Sequence, residues 1–233
     1  MKKLSLTTLL IIITLGFSSC SVEEDPILEE PTGRQFEKVT VKRDASGAYS
    51  LDMQLNDGVG ADVVENEKAN RKDFNLFNSD FDRKRSYNED LSLNGQDSFS
   101  VGVNNTVNNK NTSTLTIFDN DISFNKASND DHLKNYEVTN HGDGTFDLEF
   151  SVDDNIDVDF VLNEDTGVFE IHLEPGEGNE SEFFRTLEKE DGEQLRIEFV
   201  NYYNRSATGR TAQTLEKKPV IVWDPGEEED SVN

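Results

Sequence analysis

Apolar residues recur at every second position along much of this chain. The plainest examples are Val39 and Val41; Tyr49, Leu51, Met53 and Leu55; Phe99, Val101 and Val103; and Leu115 and Ile117. Because successive side chains of a β-strand point to opposite faces, a period of two predicts strands with one buried face. The body of the protein is therefore predicted to be mainly β.

The clearest strand signals lie between Tyr136 and Leu173. Alternating apolar residues flank His141-Gly142-Asp143-Gly144 and, later, Asn163-Glu164-Asp165-Thr166-Gly167, and both segments are typical of hairpin turns. Short connections between consecutive strands predict an antiparallel meander. The positions between the apolar ones form its other, acidic face: Asp147, Glu149, Asp157, Asp159, Glu170 and His172.

Two later strands are predicted, from Leu195 to Phe199 and from Pro219 to Trp223, the second ended by Asp224-Pro225-Gly226. Residues 181–190 allow a short helix, but a hairpin turning at Asp191-Gly192 is favoured. Residues 61–77 allow either a helix or strands. The fold class predicted is mainly β, as an antiparallel sandwich or an up-and-down barrel or meander that allows one short helix.

We expect one β domain over residues 35–225, since the chain contains no convincing internal repeat and no long Gly/Ser or Pro linker. Residues 104–113 offer almost nothing to bury, which allows either an internal domain boundary or a long loop. Residues 226–233 contain four consecutive acids, Glu227 to Asp230, and are predicted to be a disordered tail.

The N-terminus has the pattern of an export signal. Met1-Lys2-Lys3 precedes an apolar run from Leu4 to Phe17, which is too short to span a bilayer, and Ser18-Ser19-Cys20 follows. This arrangement resembles a bacterial lipoprotein signal, although Phe17 stands where such signals more often have Leu. The resemblance implies that residues 1–19 are cleaved and that Cys20, the single cysteine, is the lipidation site carrying acyl chains.

Residues 20–34 are predicted to form an extended acidic tether. The acids Glu23, Glu24 and Asp25, close behind Cys20, resemble the surface-export signal of Bacteroidota-type lipoproteins. Ser21 departs from the Asp that commonly retains lipoproteins in the inner membrane. The resemblance implies an outer-membrane location with the cell surface favoured, and a periplasm-facing position is the alternative.

Charge narrows the possible partners. Without Lys2 and Lys3 the chain keeps 20 basic against 48 acidic residues, a net charge of −28, which disfavours nucleic acid. The expected partners are the membrane, through the lipid anchor, and an envelope protein or glycan; the oligomeric state stays open.

No catalytic motif is present, and no cofactor is expected. His132, His141 and His172 lack a second histidine within four residues, so none suggests a zinc site, and His132 is expected to be a solvated loop residue. The protein is interpreted as a non-catalytic binding or structural module. A glycan-active hydrolase with paired carboxylates is one alternative.

A calcium-stabilised adhesion module is the other alternative. Two sets of residues partly match the spacing of a calcium loop: Asn78, Asp80, Asp82 and Glu89, and Asp119, Asp121, Ser123 and Asp130. Arg83 and Phe124 occupy the positions where that loop needs Gly, so neither set predicts a site. Among aromatic residues, Trp223 is expected in the core, while Tyr202 and Tyr203 are equally suited to packing or to stacking on sugars.

Overall fold

A computed structural model describes residues 35–79, 84–105, 112–119, 132–190, 192–207 and 210–226. Every regular element in these residues is a β-strand, which confirms the predicted all-β class. Within the same ranges, no helix has the length and apolar character needed to cross a membrane.

The described residues contain fourteen strands, and several of them alternate buried and more exposed side chains as the period-two pattern predicts. They are β1 Phe36–Arg43, β2 Tyr49–Leu55, β3 Val59–Asn66, β4 Arg71–Asn78, β5 Ser86–Leu91, β6 Ser98–Asn105, β7 Thr112–Phe118, β8 Leu133–Asn140, β9 Thr145–Val152, β10 Ile156–Asn163, β11 Val168–Pro175, β12 Glu182–Glu188, β13 Leu195–Ala207 and β14 Arg210–Asp224.

Two sheets contain these strands. One has six strands in the order β12-β9-β8-β1-β2-β5, and the other has eight in the order β10-β11-β13-β14-β7-β6-β4-β3. All pairings are antiparallel except β4 with β6 and β11 with β13. Strands β9 and β10 follow each other in sequence but lie in different sheets, so the meander predicted from Tyr136 to Leu173 is divided between the two sheets. The two hairpins β8–β9 and β10–β11 are confirmed.

Aromatic side chains from both sheets meet in one core. Tyr49 packs edge-on against Phe99 with ring centroids 5.1 Å apart, and Phe146 packs edge-on against Trp223 at 6.0 Å. Trp223 is 4% exposed, which confirms its predicted place in the core. The two sheets thus form a β-sandwich whose inner faces interdigitate.

The second seven strands repeat the topology of the first seven. In each half, strands one and two form a hairpin in the six-stranded sheet, and strands three and four form one in the eight-stranded sheet. The fifth strand then returns to pair with the second. The sixth pairs parallel with the fourth, and the seventh pairs antiparallel with the sixth.

Local backbone features recur at an offset of 97 residues. The register shifts between Phe36 and Lys38, and again between Leu133 and Asn135. Gly47 and Gly144 occupy equivalent turns with φ of +84° and +81°. Further pairs with positive φ are Gly58 with Asn155, Asn70 with Gly167, and Gly95 with Gly192. The expectation of no internal repeat is therefore wrong at the level of structure.

The two halves are related by an approximate two-fold axis. Val41 pairs with its own equivalent, Val138, and the flanking pairs Val39–Asn140 and Arg43–Tyr136 exchange under the 97-residue offset. In the other sheet, the pairs Ile117–Ile221 and Thr116–Val222 exchange in the same way at an offset of 105 residues, the offset that relates β7 to β14. This reciprocity is the mark of two-fold symmetric contact, so both sheets run continuously from one half into the other.

The undecided segments are now assigned. Residues 61–77 contain most of the β3–β4 hairpin, and the helix considered for residues 181–190 is instead strand β12. The hairpin favoured at Asp191-Gly192 is wrong, because β12 pairs with β9 while β13 pairs with β11 and β14. Strand β6 precedes residues 106–111 and β7 follows them. The two strands pair with each other, and the pair next to this segment is Asn104 with Thr112.

Candidate functional site

The two halves differ most where β13 and β14 extend beyond the eight-stranded sheet. β13 pairs with β11 only as far as Asn201, and β14 pairs with β7 only from Val220. Beyond these points the two strands continue to pair with each other as far as Ala207 and Arg210. We call this extension, residues 202–217, the β13–β14 arm.

Charged side chains collect at the base of the arm, on the outer face of the sheet. Lys217 Nζ lies 2.9 Å from Glu170 Oε1 and 2.7 Å from Glu198 Oε2. Arg196 Nε donates to Glu198 Oε1 at 2.7 Å. Strands β11, β13 and β14 are adjacent, so three neighbouring strands supply these groups.

His172 links this ion-pair group to the arm. Its Nε2 lies 3.0 Å from Glu170 Oε2, and its Nδ1 lies 2.8 Å from the hydroxyl oxygen of Tyr202. The two rings also stack, with centroids 5.6 Å apart. We call Glu170, His172, Glu198, Tyr202 and Lys217 the arm-base cluster.

Hydrogen bonding sets the ionisation of the cluster. The hydrogen bond from Lys217 is the main reason that the pKa of Glu170 lies below its ordinary value. Burial opposes ionisation of Glu198, but the bonds from Lys217 and Arg196 outweigh it, so the pKa of Glu198 is also lowered. The two carboxylates in turn raise the pKa of Lys217, and burial raises that of Tyr202. Glu170, Glu198 and Lys217 are therefore all ionised at neutral pH.

Backbone groups of the arm are held as well. Asn201 Nδ2 donates to the carbonyl oxygen of Lys218 at 2.8 Å. His132 Nε2 lies 2.8 Å from the carbonyl oxygen of Tyr202. The prediction that His132 is a solvated loop residue is wrong, because it is only 8% exposed. Side chains of His132 and Asn201 thus also bond to backbone carbonyl groups near the base of the arm.

A second polar group lies within the sandwich. The hydroxyl of Tyr49 donates to Asp119 Oδ2 at 2.5 Å, and Arg43 Nε lies 3.3 Å from the same oxygen. Burial raises the pKa of the Tyr49 hydroxyl far above its ordinary value, so it remains a donor. The equivalent of Tyr49 in the second half is Phe146, which makes this group particular to the first half.

The other residues singled out from the sequence lie in different parts of the molecule or outside the described residues. His141 is partly exposed beside its turn, with Nε2 2.8 Å from Asp147 Oδ2, whereas Tyr202 is half-buried against His172 rather than free for a sugar. Cys20 and the tether lie outside the described residues, as do Asp80, Asp82, Asp121, Ser123 and Asp130 of the calcium-like sets. Among the residues that the structure does describe, no three His, Cys, Asp or Glu side chains converge as a metal site would require.

Glu198 and Lys217 were not singled out from the sequence. They are separated by a stretch from Phe199 to Leu215 that contains no acidic residue, in a chain with 48 acids. The chain has another, longer acid-free stretch from Ser98 to Phe118, so this feature by itself does not single out the arm. The chain matches no family model, no curated protein and no solved structure.

Proposed function

We propose that this protein is an outer-membrane or surface-anchored lipoprotein whose β-sandwich is a non-catalytic binding or structural module. The lipoprotein-like sequence ending at Cys20 supports the anchor. Acyl chains contribute roughly 0.8 kcal/mol per buried methylene, so attachment of two or more chains would hold the protein at a membrane. The predicted acidic tether, residues 20–34, would connect the sandwich to this anchor.

The arm-base cluster carries the non-catalytic part of the proposal. Its charged groups are bonded to one another on the outer face of a sheet, and they connect the base of the β13–β14 arm to that sheet. Such mutual pairing favours a structural role, because a reactive group must instead be presented to a substrate. The function that fits is a rigid scaffold at the cell envelope.

The pKa values of the cluster also bear on the hydrolase alternative. A glycosidase needs one carboxylic acid that stays protonated near neutral pH, which requires a raised pKa. Glu170 and Glu198 come close together through Lys217, but the pKa of each is lowered. Both carboxyls of this pair are therefore ionised near neutral pH, whereas a glycosidase needs one of its two carboxyls to be protonated.

Replacement of the lipidation cysteine tests the anchor. Cys20→Ala should move the protein from the membrane fraction to the soluble fraction and abolish its partitioning into detergent, because no thioether can form. Ser21→Ala keeps the thiol and is the matched control. Unchanged fractionation of Cys20→Ala would refute the anchor, and turnover of a glycan or peptide panel by purified protein would refute the non-catalytic role.

A further inference from the structure

The two outermost strands of the eight-stranded sheet, β3 and β10, are unprotected edges. Each is eight residues long, and each pairs with its neighbour without a register shift. Neither contains Lys, Arg or Pro, and the charged side chains that the two strands carry are all acidic. No described strand pairs with the outer side of either one.

Both edges present the same side chains on the outer face of the sandwich. Asp62 and Val64 of β3 are equivalent to Asp159 and Val161 of β10 at the 97-residue offset, and the residue type is the same in each pair. Val64 is 51% exposed and Val161 is 37% exposed. The neighbouring Val63 and Leu162 are exposed too, at 39% and 51%. An acidic and apolar edge thus occurs twice in one molecule.

The charge of these edges indicates what can pair with them. Asp62 and Asp159 are exposed, and neither carboxylate makes a hydrogen bond or ion pair with a described residue. Opposite charges on facing strands stabilise pairing, whereas like charges oppose it. A second copy would bring another net charge of −26 and another acidic edge, so self-pairing is disfavoured.

We propose that β3 and β10 are docking edges for an extended segment of a partner protein in which basic and apolar residues alternate. The segment adds to the sheet as a further strand through backbone hydrogen bonds, as in other cases of β-strand addition. Its basic side chains lie on the same face of the sheet as Asp62 or Asp159, and its apolar side chains lie on the other face, beside Val63 or Leu162. This inference names the partner chemistry of the binding module proposed above and rests on it.

Peptide binding to the full chain, purified in neutral detergent, tests the inference. The probe is an eight-residue peptide of alternating Lys and Val, and the comparison peptide alternates Glu and Val. We expect the Lys-Val peptide to bind at least about tenfold more tightly, since the facing aspartate attracts Lys and repels Glu. Binding should slow hydrogen exchange at backbone amides of β3 and β10, and added salt should weaken it.

Charge-reversal variants separate the edges from the overall acidity of the molecule. The double variant Asp62→Lys/Asp159→Lys should lose about tenfold in affinity for the Lys-Val peptide. Glu149→Lys/Glu188→Lys makes the same change of charge at exposed positions of the six-stranded sheet and should bind like the unmodified protein. Near-ultraviolet circular dichroism identifies any variant that fails to fold.

Three outcomes would overturn the inference: equal binding of both peptides, equal losses in both double variants, or exchange protection elsewhere than β3 and β10. Sedimentation velocity can give a fourth such outcome, namely self-association of the protein that Asp62→Lys/Asp159→Lys changes. That result would mean that a second copy of this chain, and not another protein, pairs with these edges. None of these measurements depends on the lipid anchor. Fractionation of Cys20→Ala therefore tests the proposed location separately.

Discussion

Lys217 shows how one basic residue organises an acidic surface. It bridges two carboxylates from neighbouring strands, and its side chain is 45% exposed while that of Glu198 is 7% exposed. Hydrogen bonds that involve charged groups contribute more than neutral ones, although solvent reduces the contribution of an exposed partner. The strength of the arrangement therefore comes mainly from the bond to the buried carboxylate.

Lys217→Met should destabilise the protein by roughly 1–2 kcal/mol at neutral pH, because Glu170 and Glu198 lose their shared cation. In the native protein both carboxyls have lowered pKa values, so their contribution is complete above the ordinary value of 4.5 and is lost as pH falls below it. The variant should lose part of this acid dependence. Urea unfolding between pH 3 and pH 7 measures both effects.

Lys134→Met is the control for that experiment. Lys134 pairs with Asp153 at 3.2 Å, but both side chains are more than 40% exposed. Exposed pairs contribute between about 0 and 1 kcal/mol, so this variant should change stability little at any pH. If the two variants lost equal stability, the arm-base cluster would contribute no more than an ordinary surface pair.

Equivalent hairpin turns in the two halves have different neighbouring residues. Gly47 and Gly144 are at the same point of the β1–β2 and β8–β9 turns, both with positive φ. A side chain at Gly47 would meet only the end of Arg43 at 3.7 Å, whereas one at Gly144 would lie 2.4 Å from the carbonyl oxygen of Lys189. The second turn is thus packed against the chain that follows β12.

Gly47→Ala and Gly144→Ala separate backbone conformation from packing. Gly47→Ala should lower the free energy of unfolding by about 1–2 kcal/mol, because an L-residue is strained in a left-handed conformation. Gly144→Ala should cost about 1–3 kcal/mol more, because the backbone carbonyl of Lys189 must move. Thermal or urea unfolding measures the difference. Equal losses of stability in the two variants would mean that the contact with Lys189 does not add to the cost of Gly144→Ala.

On the scale of the whole molecule, the two halves share their sheets and their core. Strand β1 pairs with β8, and β7 pairs with β14, so the backbone ladders cross the approximate two-fold axis in both sheets. The aromatic contacts between Tyr136 and Phe199 and between Phe146 and Trp223 belong to a core that also includes residues of the first half. Neither half is a separate domain in this arrangement.

The sandwich should therefore unfold in a single cooperative transition. Leu51→Ala and Leu148→Ala alter equivalent, almost fully buried positions of the two halves and should each cost about 2–5 kcal/mol. Each should shift the same transition. Calorimetry checks this by comparing the calorimetric and van't Hoff enthalpies. Two separate transitions, each sensitive to only one variant, would contradict the prediction.

The sequence by itself determined many of the strands and, for those, which face is buried. Positions such as Leu51, Phe146 and Ile197 alternate with polar neighbours, and this signal is local because it depends only on the geometry of a single strand. The lipoprotein-like signal that ends at Cys20 is local in the same sense, and its function stays a prediction.

Only the tertiary structure decided how the strands are arranged. Any two strands with one apolar face can pair, so the sequence pattern did not distinguish a meander from strands that alternate between two sheets. It also did not reveal the repeat, because equivalent positions share burial more than identity: Tyr49 matches Phe146, and Gly58 matches Asn155. Glu170, Glu198 and Lys217 meet because non-consecutive strands become neighbours, which is a property of the folded sheets alone.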